Sequence, residues 1–144
     1  MAGGRFRTLL ILLSTLTLFV ALAAGCGKPG AKLPVSEMNA HVDSDGVQKI
    51  DVDAHSYYFT PNRIVVDEGK PVDIAVHFKN WLAPHNFTCI DQDAGISASV
   101  SAGAFSFGKT RHVKFTPTKT GEYEFFCHVG SHAKKGMKGT IVVR

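Results

Sequence analysis

Residues that bind soft metals stand at fixed intervals near the carboxyl end of the chain. Cys127, His132 and Met137 form a Cys-x4-His-x4-Met run, with Gly130 and Gly136 supplying turns between them. Further upstream, Pro84-His85-Asn86-Phe87 adds a second imidazole at the start of an apolar-alternating segment. One thiolate, two imidazoles and a weak thioether form the donor set of a blue-copper electron-transfer site. Thiolate and thioether favour Cu(I), imidazole accommodates both oxidation states, and an intermediate geometry limits rearrangement when one electron moves. Hydrolysis would instead need an open coordination position and a water-derived nucleophile, and Met137 would occupy or shield that position. His128, beside Cys127, competes with His132 for the second imidazole role; strand neighbours face opposite ways, which favours His132.

These donors need strands to hold them. From residue 47 onward apolar residues alternate with polar ones between turn signals: Ile50, Val52 and Ala54; Val72, Ile74, Val76 and Phe78; Tyr123, Phe125 and Cys127. About seven to eight closely spaced strands predict an all-β sandwich. Alternate residues share a face, so His85, Phe87 and Cys89 point inward together, as do Tyr123, Phe125 and Cys127. Cys89 reads as a small buried hydrophobe. His77 and His112 fall on the outer phase, and with His41 and His55 they are expected in solvent. Residues 91–108, rich in Gly, Ala and Ser, read as a long surface connection between the sheets.

Taken together, Pro84-His85-Asn86, the strand Gly121-Glu122-Tyr123-Glu124-Phe125-Phe126-Cys127, the ligand run and the segment Tyr57-Tyr58-Phe59-Thr60-Pro61-Asn62-Arg63-Ile64 resemble the cupredoxins. This small blue-copper family includes plastocyanin and azurin, and the resemblance covers about residues 48–144. It implies a Greek-key β-sandwich with one mononuclear type 1 copper. By position, His85, Cys127 and His132 would be strong equatorial ligands and Met137 the long axial one. Asn86 would fix the ligand strands and hydrogen-bond near the thiolate sulfur. No catalytic residue is implied; the expected activity is single-electron transfer between redox proteins of a respiratory or photosynthetic chain. The alternative is copper storage or delivery, although no Met-rich or His-rich tract stands outside the four ligands.

The amino terminus bears on the compartment. Residues 8–24 carry no charge, follow Arg5 and Arg7, and end in small residues, the pattern of an export signal over residues 1–25. Leu22-Ala23-Ala24-Gly25-Cys26 resembles the lipobox of bacterial lipoproteins, which implies a lipidated Cys26. Ala21-Leu22-Ala23 is also an acceptable cut site, which would release a soluble protein. Residues 26–46, broken by Pro29, Gly30, Pro34 and Gly46, read as a tether that carries Met38, with residues 47–144 as the copper-binding domain. The expected location is outside the cytoplasm, anchored to a membrane by lipid.

Size and charge narrow the remaining classes. The chain has 144 residues and net charge +4; without residues 1–25 it has 119 and net +2, one domain with no nucleic-acid footprint. Three cysteines are too few for a disulfide scaffold, and a monomer is expected. Charge is unevenly spread: residues 109–144 carry net +6 and residues 26–108 net −4. Lys134, Lys135 and Lys138, within or beside the ligand run, are the expected rim for an acidic partner, with Leu82, Ala83 and Pro84 adding apolar surface.

Overall fold

The computed structural model describes residues 33–144. The expected export signal and Cys26 lie outside the described residues. Among the described residues eleven strands form two sheets: β1 (Glu37–Asn39), β2 (His41–Val42), β3 (Gln48–His55), β4 (Tyr58–Thr60), β5 (Arg63–Val66), β6 (Val72–Phe78), β7 (His85–Asp91), β8 (Ile96–Ala102), β9 (Thr110–Phe115), β10 (Gly121–Phe126) and β11 (Lys138–Val143). One sheet runs β1-β5-β11-β10-β7-β8; the other runs β2-β3-β6-β9, with β4 paired to β3. The architecture is the expected all-β sandwich, with more strands than the seven to eight anticipated because several are two to four residues long.

Period-2 patterning accounts for the core. Val72, Ile74, Val76 and Phe78 are buried along β6, as are Ile50, Val52 and Ala54 along β3, while Asp51, Asp53, Asp73 and His77 stand on the opposite phase. Three rings join the sheets: Phe59 of β4 packs edge-on against Phe87 (5.7 Å between centroids) and Phe125 (5.3 Å), which stack on each other at 4.5 Å. Each such pair contributes about 0.5–1.5 kcal/mol beyond the apolar area it buries. The backbone crowds closely here. Gly139 lies opposite Phe125, and a Cβ at that position would fall 2.4 Å from the Asn62 carbonyl oxygen and 2.4 Å from Phe125 Cζ.

Two expectations are corrected by strand pairing. Within the expected tether, Glu37–Asn39 run parallel to Arg63–Val65 and His41–Val42 pair with β3. Met38 is therefore an exposed strand residue. Pro34 and Gly46 suggested a loop, but the unfilled edge of each sheet supplies hydrogen-bond partners that local sequence does not reveal. Residues 91–108 are not one long crossing between sheets: β8 folds straight back on β7, from Asp91↔Ile96 to His85↔Ala102, and only the segment after Ala102 crosses to β9 in the other sheet. Its small residues are strand residues whose inner face, Ile96, Ala98 and Ala102, is buried. His112 is exposed as expected and contacts Asp73 at 2.8 Å; His77, on the outer phase, is instead partly covered between Asp51 and Thr110, both 2.7 Å away.

Candidate metal centre

Strand ends build the site. β10 delivers Cys127 just past its last residue, β7 begins at His85, and the pairing Phe126↔Thr88 brings the two together. From Cys127 the chain loops through a 3₁₀ turn, Ala133–Lys135, and returns as β11. Backbone bonds close this loop: Cys127 N–H donates to the Met137 carbonyl oxygen, and Met137 N–H to that of His132, both at 3.0 Å. Gly136 ends the turn at φ +111°, a left-handed conformation that other residues rarely adopt.

Three donor atoms converge. Nδ1 of His85 lies 3.2 Å from Nδ1 of His132; Sγ of Cys127 lies 3.9 Å from the first and 3.6 Å from the second. The point equidistant from all three is about 2.1 Å from each, and metal–imidazole and metal–thiolate bonds are about 2.0–2.3 Å long. The triangle therefore fits one metal ion, and its soft thiolate with two imidazoles fits copper. Among the described residues this is the group of His, Cys and carboxylate side chains whose ligand atoms come within metal-binding reach. His85 and Cys127 are 1 % exposed, Met137 is fully buried, and His132, at 9 %, is the most accessible of the four. His128 is exposed, as opposite-facing strand neighbours require.

Electrostatics favour neutral imidazoles. Burial, and after it the neighbouring His132, pushes the His85 imidazole down to about 4. His132 is lowered first by burial and then by Lys135. Neutral rings present lone pairs that protons would otherwise occupy. Cys89, the buried thiol expected in the core, is pushed up to about 11 by burial and by Asp91, so it stays protonated and inert.

The surrounding residues hold the rings. Asn86 donates its backbone N–H to Cys127 Sγ at 3.4 Å and accepts the His128 N–H on Oδ1 at 2.7 Å. Two further residues escaped sequence reasoning. The Asn80 amide contacts Nε2 of His85 and donates to the Ala83 carbonyl oxygen at 3.0 Å, leaving Nδ1 turned toward the cluster. Tyr57, at φ +73°, sets its ring edge-on to His132 with 4.9 Å between centroids, and Lys135 lies 4.1 Å above its centroid. Neither carries a sequence signal, since loop contacts have no periodicity. In the expected rim, Lys138 pairs with Glu124 at 3.1 Å and Lys135 lies on Tyr57. A surface groove of about 450 Å³ runs between Leu33, Val35 and the lysines of the loop, outside the donor cluster.

With this sandwich and this cluster, the sequence profile of the cupredoxin-like domain family matches residues 16–143, and the chain belongs to that family. Among solved structures it is similar to auracyanin A, a "blue" copper protein from Chloroflexus aurantiacus (21 % identity, 69 % of this chain and 100 % of that one, TM-score 0.58). It is also similar to reduced rusticyanin (19 %, 78 % and 87 %, 0.56). A third similar structure is the metal-binding domain of the Cu(I)-exporting P-type ATPase CopA of Streptococcus pneumoniae with Cu(I) (23 %, 77 % and 98 %, 0.57). No curated protein matches the chain significantly.

Proposed function

We propose that the chain is an extracytoplasmic, membrane-tethered carrier of single electrons that uses one type 1 copper held by His85, Cys127, His132 and Met137. The observation that carries this reading is the donor triangle, closed by backbone hydrogen bonds and sized for one ion. When bound, copper supplies a one-electron Cu(II)/Cu(I) couple. His85, Cys127, His132 and Met137 would hold the metal, and a fixed donor set would keep reorganisation small. Asn80 and Asn86 orient His85 and the Cys127 sulfur, and Met137, fully buried beneath the ligand loop, offers no opening to water. His132 offers the shortest route to solvent and hence to a redox partner. Partners belong to a respiratory or photosynthetic chain, the carrier works as a monomer without substrate chemistry, and Cys26 lipid holds it at the membrane.

Similarity to the CopA domain supports a second reading, storage or delivery of Cu(I). One experiment separates them. The full chain is loaded with Cu(II), and its visible and electron paramagnetic resonance spectra are recorded beside Cys127→Ser. An intense visible band lost in the variant supports the carrier; a colourless protein with aqueous-type copper signals refutes it. Rapid Cu(I) transfer to an apo-acceptor would instead establish delivery.

A further inference from the structure

Four large apolar side chains stand exposed together at the metal-centre end of the sandwich: Trp81, Leu82, Phe105 and Phe107, each between 59 and 75 % exposed. They sit on two loops, between β6 and β7 and between β8 and β9. Trp81 lies 6.5 Å from Phe105 and 6.3 Å from Phe107, centroid to centroid. The loops are fastened to each other: Phe105 N–H donates to the Trp81 carbonyl oxygen at 2.7 Å, and Gly108 N–H to that of Phe78 at 2.9 Å. Phe105 holds φ +61°, an uncommon conformation for a bulky residue. The rings are thus presented outward by a braced platform.

We propose that this platform rests in the interfacial layer of an anionic lipid bilayer. The inference rests on the reading that the chain is tethered to a membrane by Cys26. Strand direction places the tether at the same end. β1, β5 and β11 run parallel and begin there, and Leu33, the first described residue, lies against the Gly136 turn of the ligand loop. Seven residues of chain from Cys26 to Leu33 span at most about 25 Å when fully extended, so an anchored chain cannot carry this end far from the lipid. Charge agrees with that occupant. Neither loop contains a carboxylate, and Lys109 matches anionic headgroups, while Lys79 at the other flank is paired with Asp53 at 3.2 Å. Trp and Phe are the side chains that settle at the headgroup boundary.

Trp81 is the single tryptophan of the chain and reports its own surroundings. The full chain, recovered from membranes of a bacterial host, is reconstituted into vesicles of phosphatidylcholine and phosphatidylglycerol, with and without bromine on the acyl chains. The expected result is a blue-shifted Trp81 emission that brominated lipid quenches. Both effects should be lost in a Leu82→Ser/Phe105→Ser/Phe107→Ser chain, which retains Trp81 and whose unchanged thermal unfolding shows it is folded. A chain that floats with the vesicles while Trp81 keeps a water-exposed emission insensitive to bromine overturns the platform and leaves tethering intact. A chain that does not float overturns both. Emission insensitive to lipid but shifted by a solubilised redox protein assigns the patch to protein docking and overturns the lipid proposal.

Discussion

Asn86 reaches Cys127 through the backbone rather than the side chain: its N–H points at the sulfur from 3.4 Å, while its side-chain oxygen holds the strand beyond Cys127 by the His128 N–H at 2.7 Å. One residue thereby ties the first ligand strand to the second and places the positive end of an amide dipole on the thiolate. Such a donor favours the more negative, reduced site.

Replacing Asn86 with Ala removes the oxygen that accepts the His128 N–H. The loss should lower stability by about 1 kcal/mol and lower the reduction potential, because the strand carrying the N–H is no longer held against the sulfur. Asn86→Asp keeps an acceptor and should recover the denaturation midpoint. Urea titration and redox titration of the three proteins decide it; a variant that matches wild type in both would show that the contact has no role.

Met137 combines full burial with a thioether, and two substitutions separate these roles. Met137→Leu nearly conserves volume and should cost less than about 1.5 kcal/mol, yet shift the potential and visible spectrum of the copper form. Met137→Ala should cost about 2–5 kcal/mol through the cavity it leaves. Spectra of the Leu variant indistinguishable from wild type would reduce Met137 to a packing residue.

The sandwich and the donor residues were legible because both are written as period and spacing. Val72 to Phe78 alternates visibly, and Cys127, His132 and Met137 sit close in sequence. The phase rule also settled His128 against His132, since one position turns out and the other returns through a loop. The edge strands β1 and β2 were hidden because pairing at a sheet margin depends on a distant partner. β8 was hidden because Ser97, Ser99 and Ser101, with Ala98 and Ala102 and with Gly95 and Gly103 on either side, give a loop-like composition that masks the alternation with Ile96 and Val100. Asn80 and Tyr57 touch the ligand rings from loops, and such contacts exist only once His85 and His132 have been brought to one end.

Burial of His85 makes the metal-free protein acid-sensitive in a definite window. Its imidazole titrates near 4 when folded, against an ordinary value of 6.5. Between these values the unfolded chain binds a proton that the folded one does not, so stability is full above about 6.5 and falls as pH drops toward about 4. The lowered His132 adds in the same direction. Urea midpoints of metal-free protein across this range should fall, and His85→Gln should flatten the slope. Copper-loaded protein should resist to lower pH, since metal and proton compete for the same lone pair. A slope equal in wild type and His85→Gln would place the acid sensitivity elsewhere.

Tyr57 covers an edge of His132 at the cost of a strained backbone. Relieving a left-handed non-glycine conformation is worth on the order of 1–2 kcal/mol. Tyr57→Gly should therefore change stability little, because relief of strain offsets lost packing. Chelator-driven copper release should nevertheless accelerate as His132 loses its cover, whereas Tyr57→Phe, which keeps the ring, should release copper at the wild-type rate. Equal release rates in all three proteins would remove Tyr57 from the site.

The lysines beside the ligand loop divide by what they touch. Lys138 is paired with Glu124, and Lys135 lies on the Tyr57 ring. Lys135 leaves positive charge close to His132, the most accessible of the candidate ligands. If an acidic partner docks here, the charge accelerates encounter more than it tightens the complex, and salt weakens it over a Debye length of about 8–10 Å. Lys134→Glu/Lys135→Glu should slow electron transfer at low ionic strength by about tenfold or more, with the two rates converging as salt is added. Stopped-flow oxidation by an acidic redox protein, repeated across ionic strengths, measures this directly. A variant whose rate follows the same salt dependence as wild type would mean that the partner approaches from another face.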